Sequence, residues 1–396
     1  MKKNDIINGF TLLVALLWLL TLVLNIFNDR FHPGDFMVYY SAAKNLVTGE
    51  PVYMISFYTG SGFYKYSPAT LFFFIPYTLF NFNTAAIIHF AILGAAYWYT
   101  FMVIRKVLHD YFPFENLKHE LGLISLAFVC ILIHFARELY VGNINIILLM
   151  LCCISIRNFL RGKDMQGGIL LGIVILVKPY LMILLLPLVL RKRWNTLVWL
   201  CLTITLISLL PFVFPGPQRS ISMYGDWINS ILMHSGGFPG KTSLDYFIRQ
   251  LMPSWPAWGI PVIFFFCCAI VSMFILKNIH QEKPESKLNG FADVNFAFEW
   301  FLMIALLPNL IKTDWVLLVF SAPLIAFMIF YTASRKQYWW IPFLVILLFF
   351  YGANSDDLLG RELSHRILES GLMGLSNFLL VIVSIVMFLD LRKKTT

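Results

Sequence analysis

Apolar runs follow one another from Phe10 to Leu389, separated only by short polar stretches. A bilayer span takes roughly 20 predominantly apolar residues. The candidates are Phe10–Phe27, a broken stretch Ser67–Ile104, Leu121–Phe135, Ile144–Ile156, Ile169–Val177, Tyr180–Leu190, Leu197–Phe214, Ile260–Leu276, Phe291–Ile311, Val316–Tyr331, Trp340–Tyr351 and Leu372–Leu389. Hydrophobic residues make up 59% of the chain and charged ones 13%, where a soluble domain is about a quarter charged. Mean hydropathy is +0.76. That much apolar surface has no soluble core to hide in, so lipid is its solvent. No polar block separates lobes, and residues 1–396 read as one all-α polytopic membrane domain. Several runs are short, which fits helices that stop partway and line a cavity.

The net charge of +9 is not gathered into a nucleic-acid patch. The basic residues sit in short clusters between apolar runs, which is the positive-inside pattern, and no nucleic-acid partner is expected. Lys2–Lys3, Arg105–Lys106, Arg157/Arg161/Lys163, Arg191–Arg193, Lys277/Lys283, Arg335–Lys336 and Arg392–Lys394 then share the cytoplasmic side. They do so only if Ser67–Ile104 makes one net crossing. Ser67–Phe80 therefore reads as re-entrant or interfacial and Thr84–Ile104 as the span. The consistent solution has about twelve transmembrane segments with both termini inside. Cys130, Cys152, Cys153, Cys201, Cys267 and Cys268 all lie in apolar runs and read as small buried hydrophobes. No small-residue cleavage site follows the first run, so it reads as a retained helix.

The opposite face receives the polar loops. In the first, Phe36, Tyr39, Tyr40, Ala43 and Val47 fall at helical spacing ahead of Gly49 and Pro51, which predicts an amphipathic helix on the membrane surface. Asp35 stands at its start. It reads either as a general base at the water–lipid boundary or as a helix cap and dipole partner. Lys65, between Tyr64 and Tyr66, reads as a phosphate ligand or as a snorkelling interfacial anchor.

Gly34-Asp35, Tyr39-Tyr40, Ala42-Ala43, Gly49, Tyr53 and Lys65-Tyr66-Ser67-Pro68 together resemble glycosyltransferase family 87. Gly142-Asn143-Ile144-Asn145 is similar to the family's Gly-Gln-x-Asn element, with Asn143 where glutamine is usual. Lys178-Pro179 after Gly167-Gly168 also matches. Gly240-Lys241-Thr242-Ser243-Leu244 is similar to its Gly-Asn-x-Ser-Leu element, with Lys241 replacing the asparagine. Leu307-Pro308 with Trp315 resembles its late Pro-x-x-Trp region. The family includes actinobacterial mannosyltransferases that elongate phosphatidylinositol mannosides. The resemblance implies a GT-C fold, a polyprenyl-phosphate sugar donor (mannose in those enzymes) and a lipid-linked or glycolipid acceptor. It implies a bacterial cytoplasmic membrane location with the active site on the extracytoplasmic face.

Such a reaction needs a base for the acceptor hydroxyl and positive charge for the leaving phosphate. Asp35 is the expected base of an inverting displacement. Lys178 interrupts an apolar stretch and is the first phosphate candidate, against a snorkelling role; Lys65, Arg137 and Lys241 follow. Asn143, Asn145, Tyr66, Ser243 and Asp314 are the expected sugar or acceptor contacts. Against these stand interhelical polar contacts for the asparagines, a helix cap for Ser243 and a solvated loop charge for Asp314. His134, at the outer end of its run, reads as structural, against a contact to the lipid phosphate. No metal or other cofactor is expected, because the outer loops hold no Asp-x-Asp pair and no glycine-rich nucleotide loop. Two rival classes stay open. A transporter or flippase of lipid-linked sugars predicts paired repeats, which the sequence does not show. A structural or assembly protein would not depend on any single loop carboxylate.

Overall fold

In hydrocarbon every backbone N–H and C=O must be satisfied within the chain, which favours helices. The computed structural model is accordingly helical. It describes residues 3–58, 62–114, 117, 119–234, 240–256, 259–282, 291–311, 315–352 and 355–393. The first half holds α1 (Lys3–Phe27), α2 (Gly34–Thr48), α3 (Phe82–Tyr111), α4 (Glu120–Cys130), α5 (Leu132–Val141), α6 (Asn145–Leu160), α7 (Asp164–Val177) and α8 (Leu185–Leu190). The second holds α9 (Trp194–Ser208), α10 (Leu210–Val213), α11 (Pro217–His234), α12 (Leu244–Leu251), α13 (Gly259–Gln281), α14 (Phe291–Leu310), α15 (Ala322–Arg335), α16 (Trp340–Gly352), α17 (Asp356–Leu359), α18 (Arg361–Ser370) and α19 (Leu372–Lys393).

Among the described residues, six helical stretches are long and apolar enough to cross a bilayer, and the chain is a multi-pass membrane protein. They are Gly9–Phe27, Phe82–Tyr111, Trp194–Val213, Val262–Gln281, Trp315–Arg335 and Leu372–Lys393. The expected twelve segments are not reached by length, because the chain breaks its helices. Leu121–Phe135 is split between α4 and α5, which meet at a bend of 58°. The Ile169–Leu190 region is broken at Lys178–Pro179, where α7 gives way to a 3-10 turn over Pro179–Leu184. Ser67–Phe80 forms two short 3-10 turns, Pro68–Phe73 and Ile75–Leu79, meeting at Phe74. Neither has a span's length.

The helices sort by what surrounds them. Of the apolar window within Trp315–Arg335, 94% is buried in protein, against 11% of that in Gly9–Phe27 and 17% of that in Val262–Gln281. The first lies at the centre beside α14, whose Phe296–Leu307 stretch is almost wholly enclosed. The other two are rim helices whose exposed leucines and phenylalanines suit lipid contact. Close approach fixes α7 against α9: a Cβ on Gly168 would lie 2.6 Å from the Thr196 carbonyl oxygen, and one on Gly172 2.9 Å from Thr203 Cβ. Only glycine lets these helices meet, which holds the end of α7, and Lys178 with it, in place.

At the Arg191 end, charged groups tie the helices together. The Arg191 guanidinium donates to Glu299 at 2.9 Å and to Glu282 at 2.9 and 3.1 Å. Asn278 donates to Glu299 at 2.9 Å, and Arg392 to Asn278 at 2.5 Å. Opposite charges at this depth persist because each has several partners.

Candidate active site

Asp35 is carried by α2. The helix begins after Pro33, which offers no side-chain cap, so Asp35 is not the capping residue. Its carboxylate sits in the first turn, where the helix dipole favours negative charge. The helix stops at Gly49, in the left-handed region at φ 89°, whose N–H returns to the Asn45 carbonyl. The expected apolar stripe is present, but it faces protein. Phe36, Tyr39, Tyr40 and Ala43 are buried, and only Val47 is exposed. Phe74, Tyr77, Phe82 and His89 take up the stripe through ring contacts. The aromatic face is used for docking on protein rather than for lying on lipid.

The second contributor is the turn between α5 and α6. Gly142 ends α5 at φ 70°, a conformation that side chains resist. A Cβ there would lie 2.8 Å from Phe36 Cβ and 2.9 Å from Pro33 Cβ. The turn therefore touches the start of α2 directly. His89 fastens it from the other side. Its Nε2 lies 3.0 Å from the Gly142 carbonyl oxygen and its Nδ1 3.1 Å from the Tyr77 hydroxyl. A carbonyl only accepts, so Nε2 donates and Nδ1 accepts from Tyr77. The imidazole also stacks on Phe36, with ring centroids 4.4 Å apart.

These contacts align a chain of polar side chains. Asn143 Nδ2 donates to Asp35 Oδ2 at 2.6 Å. Asn143 Oδ1 accepts from the Ile144 and Asn145 backbone N–H groups at 2.7 and 3.2 Å, and from Lys178 Nζ at 3.4 Å. Lys178 Nζ also donates to Asn145 Oδ1. Asn145 Nδ2 donates to Glu138 Oε2 at 3.2 Å, and the Ile146 N–H donates to Glu138 Oε1 at 3.1 Å. A lysine only donates and an ionised carboxylate only accepts. Both asparagines must then turn their carbonyls to Lys178 and their amides outward, one to each carboxylate. Direction along Asp35–Asn143–Lys178–Asn145–Glu138 is set by chemistry.

The two ends differ in exposure. Glu138, Asn145 and Lys178 are buried, whereas Asp35 is partly open. Burial raises the Asp35 pKa above the ordinary aspartate value; the Asn143 hydrogen bond and the charges of Lys178, Lys65 and Arg137 pull against it. Lys65 is shifted down by burial, with Asp35 opposing. Burial also raises the Tyr39 and Tyr66 hydroxyls, which stay neutral hydrogen-bonding groups 3.1 Å apart. The Tyr66 ring lies 5.7 Å from Lys178 Nζ, within cation–π range. Arg137 stacks over Trp315 at 4.7 Å and Tyr140 at 5.3 Å. Its Nε is buried and has no hydrogen-bond partner among the described residues, so an anion there would satisfy a donor.

A third segment braces this face. Arg219, on α11, donates to the Glu50 carbonyl at 2.7 Å and, at 3.4 and 3.5 Å, to those of Asn45 and Leu46. Trp227 on the same helix donates to the Lys65 carbonyl at 3.0 Å.

Of the residues singled out from sequence, Asp35, Asn143, Asn145, Lys178, Tyr66, Lys65 and Arg137 are brought together. The contacts of Lys241 and Ser243 run elsewhere. Lys241 lies 3.8 Å from Glu369, and Ser243 caps α12 by accepting from the Tyr246 N–H at 3.3 Å. The Ser243 backbone packs where a Cβ on Gly374 of α19 would fall. Asp314 lies outside the described residues. His134 is buried against the Tyr351 carbonyl at 3.0 Å, a structural placement. Glu138, His89 and Arg219 were not singled out as functional. The only signal for Glu138 was an ionisable side chain in an otherwise apolar segment.

Membrane-length helices with a carboxylate–cation network at the loop end define a multi-pass membrane protein. The profile of glycosyltransferase family 87 matches residues 63–292, over half the chain, and the protein belongs to that family. An α-(1→3)-arabinofuranosyltransferase from Corynebacterium glutamicum is 27% identical over 191 residues, covering 48% of this chain and 44% of the relative. The chain thus spans less than half the length of that relative. Lys65, Tyr66, Arg137, Asn143, Asn145 and Lys178 fall inside the family match, and Asp35 precedes it.

Proposed function

We propose that the chain transfers a sugar from a polyprenyl-phosphate donor to a lipid-linked or glycolipid acceptor, with Asp35 as general base. The observation that carries this reading is the Asp35 carboxylate, partly open and held 2.6 Å from Asn143, with Lys65, Lys178 and Arg137 near enough for their charges to act on it. The acceptor hydroxyl attacks the anomeric carbon, its proton passes to Asp35, and the bond from that carbon to the phosphate oxygen breaks. Polyprenyl phosphate leaves with the bonding pair, and the anomeric configuration inverts. Lys65 and the Arg137 guanidinium, whose Nε has no partner among the described residues, stabilise the leaving phosphate, as preorganised charge does wherever negative charge develops. Lys178, held by two asparagines, orients Asn143 and through it Asp35.

The resemblance noted in the sequence points to mannose as the sugar. The relative's name supports a second reading, an arabinofuranosyl donor. The Asp35 face is the extracytoplasmic one. His89 near the start of α3 touches the site, whereas Arg105 and Lys106, basic residues of the inside pattern, lie 16 and 17 residues further along that helix, about 25 Å by helical rise.

The test offers purified protein and a lipid acceptor fraction two radiolabelled donors in turn, polyprenyl-phosphate mannose and polyprenyl-phosphate arabinofuranose, with nucleotide sugars as controls. Covalent transfer from one polyprenyl donor is the expected result and names the sugar. Movement of the donor across vesicles without covalent product would instead support the transporter reading, and use of a nucleotide sugar alone would contradict the donor class.

A further inference from the structure

The far end of α3 carries a second polar recess that the transfer reaction does not use. A cleft of about 500 Å³ is lined on one side by Trp98, Tyr99 and Met102, and on the other by Arg105, Lys106 and Arg157. Trp98 also lines a groove of about 250 Å³ between α1 and α3, floored by Val14, Trp18, Gly94 and Ala95. Headgroup-sized cleft and apolar groove thus share a wall. From His89, which touches the Asp35 site, to His109 at the cleft is 20 residues of one helix, about 30 Å, or one hydrocarbon thickness.

The charges in the cleft are not all matched internally. Glu120 is taken by His109 at 2.6 Å, with Arg105 at 4.0 Å; Asp110 stands exposed at the rim. The Nε atoms of Arg105 and Arg157 are buried and have no hydrogen-bond partner among the described residues. Buried guanidinium donors without acceptors are costly, and an anionic oxygen entering the cleft would satisfy them. The groove decides what carries that anion. It is apolar, continuous with the cleft through Trp98, and set between α3 and a rim helix that is 11% buried. A free phosphate has no use for such a groove, and an acyl chain does.

We propose that this paired cleft and groove bind one acidic phospholipid from the leaflet opposite the Asp35 site. Its phosphate lies among Arg105, Lys106 and Arg157, and one acyl chain runs along Trp98 and Gly94 toward Trp18. Basic recesses between membrane helices take acidic headgroups in this way. The lipid would seal α1 to α3, adding to the hydrogen bond from Trp18 Nε1 to the Phe90 carbonyl at 3.0 Å.

The test delipidates the purified full chain in neutral detergent and titrates it with phosphatidylglycerol, reading retained lipid by mass spectrometry of the intact complex and stability by thermal unfolding. One phosphatidylglycerol should be retained per chain and should raise the unfolding temperature. The Arg105→Gln/Arg157→Gln variant should bind it about tenfold more weakly or worse, given the attraction each cation contributes. Lys106→Glu, a change at an exposed position that does not threaten folding, should weaken it as well. Phosphatidylcholine should not substitute. Unchanged affinity in both variants, equal retention of phosphatidylcholine, or the same stabilisation by inorganic phosphate alone would overturn the proposal.

Discussion

Asp35 and Glu138 are each joined to Lys178 through an asparagine, yet one meets solvent and the other does not. That difference divides their work. Asp35 is partly open, and burial raises its pKa, which in the proposed reaction brings the base nearer its working pH. The acid limb of activity should therefore fall above the ordinary aspartate value of about 3.9. The same shift has a stability consequence. A raised folded-state pKa means that the folded protein binds the proton more tightly. The stability contributed is present at low pH and lost as pH rises through the raised value. At neutral pH the ionised carboxylate costs stability, and Asp35→Asn should unfold at a higher temperature than wild type, with the difference vanishing below about pH 3.9. A lower unfolding temperature at pH 7 would show that the surrounding cations outweigh burial. For Glu138→Gln the direction of the chain is the issue. The new NH2 would face either the Asn145 amide or the Ile146 N–H, donor to donor, so a loss of about 1–3 kcal/mol is expected by denaturant or thermal unfolding. Transfer activity should fall with it, because Asn143 shares Lys178. Unchanged stability and activity would refute the directional chain. Lys178 was legible in sequence because it interrupts an apolar stretch, and Asp35 because it stands at the start of the loop helix. His89 was not, since a histidine in an apolar helix carries no mark of what its two nitrogens will meet.

At the scale of elements, the site depends on three junctions. The α5–α6 turn presses on the start of α2 at Gly142. In Gly142→Ala the new methyl must displace Phe36 or Pro33 and accept a left-handed backbone, which costs roughly 1–2 kcal/mol by itself. Asp35 would shift with α2, so transfer should drop by about 10²-fold, as misplacement near 1 Å does, while the protein remains folded by circular dichroism. Wild-type turnover in this variant would mean that the turn does not set the position of Asp35. The second junction is α11 on the end of α2. Arg219→Ala removes donors to the Asn45, Leu46 and Glu50 carbonyls, and about 1.5 kcal/mol of stability should go with them. A donor KM that rises while kcat holds would match loss of support for Lys65 through Trp227. The third junction, α7 on α9, explains why Gly168 accompanies Lys178-Pro179 in the sequence, while Gly167 faces Phe159 of α6. The α2 helix itself was legible from its aromatic spacing. That its stripe packs on protein was not, because lipid and a protein interior demand the same side chains.

For the whole molecule, composition announced a membrane protein and the order of weak motifs announced its family. The crossing count was not legible in the same way. Hydropathy marks where apolar segments are and already parts Ile169–Val177 from Tyr180–Leu190 at Lys178–Pro179, but it does not show that the helix bends between α4 and α5 or that Ser67–Phe80 folds into 3-10 turns. The break at Lys178–Pro179 lies within the polar network and the Ser67–Phe80 turns directly follow Lys65 and Tyr66, so broken helices help to build the site. Lys241 and Ser243 show the converse: a motif in the right order was drawn to the α18–α19 junction instead. The central claim is that a single loop carboxylate serves as the base for transfer from a lipid-phosphate sugar. The most direct measurement is transfer of radiolabelled sugar from polyprenyl-phosphate donor to lipid acceptor by folded wild type and by Asp35→Asn at matched protein levels. Wild type should turn over, and the variant should lose about 10²–10⁴-fold, the range for a missing general base. Full activity in the variant would contradict it.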